Sequence, residues 1–128
     1  MAAGALSEED IDKRVPVWCV LSELFLDTEL QSTDFDRIAA VLARTGTSVA
    51  DARRILEEEV APVFIANALS VAGEWTGWPE AFVKERVLAH LHSGIAERSF
   101  ANFRARLQRN AYESAWKQVR DRLDKIVR

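Results

Sequence analysis

Apolar residues recur along this chain at the 3.6-residue spacing of helices almost from end to end, and no Asn-Gly or Asp-Gly pair is flanked by alternating apolar residues. A chain with one period and no hairpin signal buries its apolar surface by packing helix on helix. The predicted fold is all-α: a single-domain bundle of about five to six helices with a long C-terminal helix. The 128 residues hold no internal repeat and no Pro/Gly/Ser-rich linker, so one domain is expected. With 48% hydrophobic residues the chain can build a core without disulfides or a metal. No apolar run reaches the roughly 18 residues of a membrane helix. The start lacks the basic and apolar regions of a signal peptide, so a soluble cytoplasmic protein is the expectation.

Caps and breakers set the expected boundaries. Ser7, followed by Glu8, Glu9 and Asp10, starts a short helix; Pro16 then opens a new one over residues 16–26 that buries Val17, Trp18, Leu21, Leu24 and Phe25. Thr33 caps a second helix with Asp36 as its capping-box acid, and Phe35, Ile38, Ala39 and Leu42 line the buried side. Gly46 suits the left-handed position after that helix, and Ser48 caps a third whose stripe is Ala52, Ile55, Leu56, Val60 and Val63. Pro62 should kink or divide that helix. Two glycines, two tryptophans and a proline interrupt the periodicity over residues 71–79, which predicts an ordered loop with Pro79 opening the next helix. Phe82, Val83, Val87, Leu88 and Leu91 form its core face. Beyond Gly94, the positions Phe100, Phe103, Leu107, Ala111, Ala115 or Trp116, Val119, Leu123 and Ile126 predict a core stripe on one helix of more than about 25 residues.

The chemistry-bearing residues are sparse. His90 and His92 are two apart and point in opposite directions on a helix, so they cannot share a metal; no metal and no cofactor are expected. Cys19 lies within the apolar run of residues 17–25 and reads as a small buried thiol. Glu59 stands four after Ile55 and three after Leu56, which puts it on the apolar stripe of its helix. A buried carboxylate there needs a partner from another element, an arginine or loop backbone. Asp27, Glu29, Glu59 and Glu74 are the acids available to a carboxylate-dependent enzyme, but helix-end and turn roles account for them first. Asn67 suits the backbone groups that Pro62 leaves open, and Trp75 and Trp78 fit either a plug for the end of the bundle or a contact surface.

Charge divides the chain. Residues 1–96 carry 8 Lys/Arg against 16 Asp/Glu, a net −8, whereas residues 97–128 carry 9 against 4, a net +5. Basic residues of the last helix are expected to lie over acidic ground of the earlier ones. The alternative is a nucleic-acid-binding face using Arg104, Arg106, Arg109, Lys117, Arg120, Arg122, Lys125 and Arg128, against which stand the interspersed Glu113, Asp121 and Asp124 and the pI near 5.4.

The segments Leu21-Ser-Glu-Leu-Phe-Leu-Asp-Thr-Glu-Leu30, Ile55-Leu-Glu-Glu-Glu-Val-Ala-Pro62 with Asn67 after it, and Val71-Ala-Gly-Glu-Trp-Thr-Gly77 resemble those of a family of small uncharacterised bacterial helical proteins. That family carries an LSDLFLDTEL-like segment, an EVxP segment and an AGEWxGF-like loop; here Glu23 stands for its usual Asp and Trp78 for its usual Phe. The resemblance spans residues 16–87, leaves the basic C-terminal helix outside, and implies a bacterial, cytoplasmic, one-domain protein without implying an activity. By elimination, the expected function is non-enzymatic: an immunity or antitoxin-like protein whose acidic surface meets the basic face of a toxin domain. Asp27, Glu29, Asp34, Asp36, Glu74, Trp75 and Trp78 are the expected partner-binding residues, with Glu59 and Asn67 structural.

Overall fold

A computed structural model describes residues 6–25, 30–68 and 78–127 of the chain. Every regular element among the described residues is helical: α1 (Glu8–Ser22) with a 3-10 turn (Glu23–Phe25), α2 (Ser32–Arg44), α3 (Val49–Ile55), a π turn (Leu56–Val60), α4 (Ala61–Ala68), α5 (Glu80–Leu91), α6 (Ile95–Leu107) and α7 (Asn110–Val127). The π turn joins α3 to α4 without a break, so the fold is an all-α domain of six rods ending in the 18-residue α7. No helix among the described residues is long and apolar enough to cross a membrane.

Local chemistry explains most boundaries. The Ser7 hydroxyl accepts the Asp10 backbone N–H at 3.1 Å while the Asp10 carboxylate accepts that of Ser7, a reciprocal capping box. Gly46 takes φ +76, and the Gly46 and Thr47 N–H groups reach back to the Ala43 and Leu42 carbonyls at 3.0 Å. This is the Schellman closure of α2, which only a residue without a Cβ adopts without strain. Ser48 caps α3 by accepting the Asp51 N–H.

Four expectations are corrected. Pro16 does not open a helix but lies inside α1. Its ring is on the exposed side, as is Asp12, so the carbonyl that loses its ladder donor faces water rather than core. The second helix starts at Ser32, not after Thr33. Asp34 rather than Asp36 is its N-terminal acid, accepting the Gln31 N–H at 2.8 Å. At Pro62 the expected break is a widening one turn upstream, where the Ala61 N–H bonds the Leu56 carbonyl five residues back. Finally, the last helix is long but stops short of about 25 residues: the stretch beyond Gly94 is two helices, α6 and the 18-residue α7, parted at Gln108 and Arg109.

That parting resets the register of the apolar stripe. Past the break the buried positions are Tyr112, Trp116, Val119 and Leu123, not Ala111, and Ile126 is exposed. Phe100, Phe103 and Leu107 lie on the outside.

The rod made of α3, the π turn and α4 runs through the middle and touches α1, α5, α6 and α7, while α2 lies along α7. Leu56, Val60, Phe64 and Ile65 on that rod are fully buried, and Trp18, Leu21 and Phe25 close on it from α1 and its 3-10 turn. Each such large side chain contributes roughly 1.5–3 kcal/mol by leaving water. All belong to one continuous core.

Candidate functional site

Two polar constellations stand out, one inside the bundle and one at the start of α2. The inner one centres on Glu59, which is only 4% exposed. The Trp18 indole N–H donates to its Oε1 at 2.7 Å, Arg14 Nη1 donates to its Oε2, and Arg54 lies 3.8 Å from the same oxygen. The π turn presents this carboxylate to α1, where Trp18 and Arg14 stand four apart on one face. A carboxylate held by a buried N–H and a guanidinium is fully committed; its chemistry is to lock α1 onto the rod.

The same turn disposes of the proline. Pro62 has no N–H for the Glu58 carbonyl four residues back, and His90 Nε2 from α5 lies 3.2 Å from that oxygen. The carbonyl can only accept, so Nε2 carries the proton. Burial is the main cause holding the His90 pKa below its usual value, with Arg98 adding to it and the Glu58 carbonyl, Asn102 and Glu59 opposing it. His92 sits at the end of α5, and among the described residues no three His, Cys, Asp or Glu side chains gather to hold a metal. Cys19 is half-buried, and burial, with Glu80 and Glu23 nearby, pushes its pKa up to about 11. At neutral pH it is a thiol and not a nucleophile.

The outer constellation is acidic carboxylates backed by arginines. Arg37 holds Glu23 through two bonds of 2.6 and 3.0 Å and lies 3.4 Å from Asp34. The Gln31 backbone N–H, and then Arg37, keep the Asp34 carboxyl below its usual pKa. Arg122 crosses from α7 to bind Asp36 at 2.6 Å and the Ser32 hydroxyl at 3.0 Å. Asp36 remains 62% exposed on its side chain and Asp34 33%, whereas Glu23 is 17% exposed. Beside them an open groove of about 680 Å³ is lined by Asp36, Gln118, Asp121, Arg122, Lys125 and Ile126.

Of the expected partner-binding residues, Asp34 and Asp36 thus come together on α2, and both are engaged within the chain. Trp78 is elsewhere: its ring stacks on the buried Phe64, centroids 4.8 Å apart, so it extends the core next to Phe82. Asp27, Glu29, Glu74 and Trp75 lie outside the described residues, as does the side chain of Asn67 on α4.

Arg14, Arg37 and Arg53 carry no motif in the sequence, and Arg122 stands out there only as one of the basic residues of the last helix. Arg53 spans from α3 to Glu57 and to Glu113 on α7, with its guanidinium over the Tyr112 and Trp116 rings at 5.5 and 6.0 Å. A signal for Arg14 was present, since it precedes Trp18 by one helical turn beside the apolar stripe. Arg37, Arg53 and Arg122 each have a local partner at helical spacing, Asp34, Glu57 and Gln118, but their bonds to Glu23, Glu113 and Asp36 depend on tertiary placement. The Arg122–Asp36 and Arg53–Glu113 contacts do set basic and acidic charges of the last helix against opposite charges on α2 and α3.

The chain belongs to the family described as a domain of unknown function (DUF7079), whose profile matches residues 12–122. The match runs well into α7, so the basic C-terminal helix lies within the shared domain and not outside it. No curated protein and no solved structure matches the chain.

Proposed function

We propose that this is a non-catalytic interaction domain of the immunity or antitoxin type, a bacterial cytoplasmic protein that binds and blocks a partner domain with a basic face. One observation carries the reading: the carboxylates at the start of α2 are tethered by Arg37 and Arg122 while Asp36 stays open to solvent and Asp34 remains one-third exposed. Tethered side chains lose little rotamer freedom on binding, and exposed acids steer a basic partner toward them. Asp27 and Glu29, just before α2 in sequence, add two more acids to the same stretch. Because the tethering arginines offset part of this charge, the gain falls on encounter and orientation more than on depth of binding.

The test is a pair of titrations, one with the product of the neighbouring gene and one with generic duplex DNA and RNA. The combined variant Asp27→Asn, Glu29→Gln, Asp34→Asn, Asp36→Asn should slow association with the protein partner about tenfold at low salt and flatten its salt dependence. Steeply salt-dependent nucleic-acid binding that disappears when Arg104, Arg109, Lys117 and Arg120 are neutralised would overturn the reading.

A further inference from the structure

Helix α6 is inside out. The face it packs against α4 and the π turn is made of Arg98, Ala101, Asn102 and Ala105, of which only Ala105 is fully buried. The opposite face exposes Phe100, Phe103 and Leu107 at 65%, 53% and 69%. This orientation is built in. Small Ala101 and Ala105 let the helix approach the rod closely, and Arg98 donates to the Leu91 and Ser93 carbonyls at the end of α5 at 3.1 and 2.9 Å. Turning the phenylalanines inward would forfeit both.

The outward residues Ala96, Phe100, Phe103 and Leu107 follow one another in steps of four, three and four, the seam spacing of paired helices. A contiguous apolar strip of this kind on a folded domain marks an interface. We propose that it is covered by a second copy of this chain, α6 lying antiparallel on α6 across a two-fold axis.

Charge selects this occupant and this direction. Glu97 and Arg104 are seven residues apart, hence on the same flank of the seam, one in the first turn of α6 and the other in its last. In an antiparallel pair equivalent flanks meet, so Glu97 of each copy falls opposite Arg104 of the other, twice by symmetry. A parallel pair would set Arg104 beside Ser99, leave Glu97 beyond the end of the partner helix, and align the two helix dipoles side by side. Antiparallel pairing also sets Phe100 of one copy against Phe103 of the other at the axis. There two aromatic anchors per chain sit in the middle of the contact, where binding energy concentrates. Arg104 already lies over the Phe100 ring at 6.0 Å, at the rim of the same seam.

The area is sufficient. At these exposures the strip offers on the order of 400 Å² of apolar side chain per copy, and with the flanking Glu97, Ser99 and Arg104 side chains the pair reaches about 1,000 Å², the lower bound of a specific interface. The dimer is therefore of moderate affinity and depends on concentration.

Sedimentation or light scattering of the intact protein across the micromolar range tests this. The wild-type chain should pass from monomer to dimer as concentration rises. Phe100→Glu or Phe103→Glu should leave a monomer whose thermal midpoint matches that of dilute wild type, because neither side chain supports the fold. Glu97→Arg and Arg104→Glu should each weaken the dimer about tenfold by setting like charges together twice, and the double variant should recover most of the loss. A chain that stays monomeric throughout, whether or not another protein binds α6, overturns the proposal, as does a dimer indifferent to Phe100→Glu. Failure of the double variant to recover overturns the antiparallel register. These outcomes leave the acidic-surface reading untouched, since α2 takes no part in them.

Discussion

Helices α1 and α6 both carry an apolar stripe in sequence, and the fold treats them in opposite ways. α1 turns Trp18 and Leu21 fully inward against the central rod and adds a hydrogen-bonded carboxylate to the contact; α6 turns Ala105 inward and leaves Phe100, Phe103 and Leu107 outside. The difference lies in what each helix offers on its second face. The opposite side of α1 is charged and proline-bearing, so only one face can be buried. α6 has small residues and a helix-capping arginine opposite its phenylalanines, so two faces compete and the closer-packing one wins. Periodicity thus reports that a face exists without reporting which neighbour takes it.

The contrast can be broken most sharply at Glu59. Glu59→Ala strands a buried indole N–H and a guanidinium, and the expected loss is about 3 kcal/mol, toward the low end for a broken buried pair because the Arg14 side chain stays 28% exposed. Glu59→Gln keeps an acceptor for Trp18 and should lose about half as much. Urea denaturation measures both, and an unchanged midpoint for Glu59→Ala would remove the lock between α1 and the rod.

A smaller effect comes from pH. His90 is held below its ordinary pKa by burial, so as pH falls through about 6.5 the unfolded chain takes up the proton first and stability drops. His90→Gln should flatten the stability profile between about pH 5 and 8. A profile that is flat in the wild-type protein contradicts the burial of the ring.

The smallest effect sharpens the other side of the comparison. Phe100→Ala, measured dilute so that the chains are monomers, should change stability by no more than about 0.5 kcal/mol despite removing a phenyl ring. A loss of several kcal/mol would mean that α6 packs the other way round.

What was legible was whatever depends on neighbours in sequence. Ser7, Gly46 and Ser48 set helix ends through bonds to residues three to five positions away, so their roles could be read directly. The buried side of α2 followed from spacing alone, as did the position of Glu59 on the buried side of its helix. The start of α2 was harder: Thr33 with Asp36 fits the capping-box pattern, yet the helix begins at Ser32 with the Asp34 carboxylate on the Gln31 N–H, while Asp36 is bound by Arg122, 86 residues further on. For the acidic surface, the residue types were visible in sequence and their tethering was not.

By itself the sequence determined that the chain is helical, roughly where each helix begins, which side of most helices is apolar, and that Glu59 needs a partner, because turns, caps and amphipathic faces are set by interactions within a few residues. Only the tertiary structure decided that Pro16 is tolerated, that Pro62 widens the helix upstream, that the last stripe breaks at residue 108, and that α6 faces outward. Each of these weighs a local cost against where the rest of the fold lies: the exposure of Pro16 and Asp12, His90 on the Glu58 carbonyl, Tyr112 and Trp116 on the α1 turn and Arg53, and Arg98 on the end of α5. Those distances are absent from the chain until it folds.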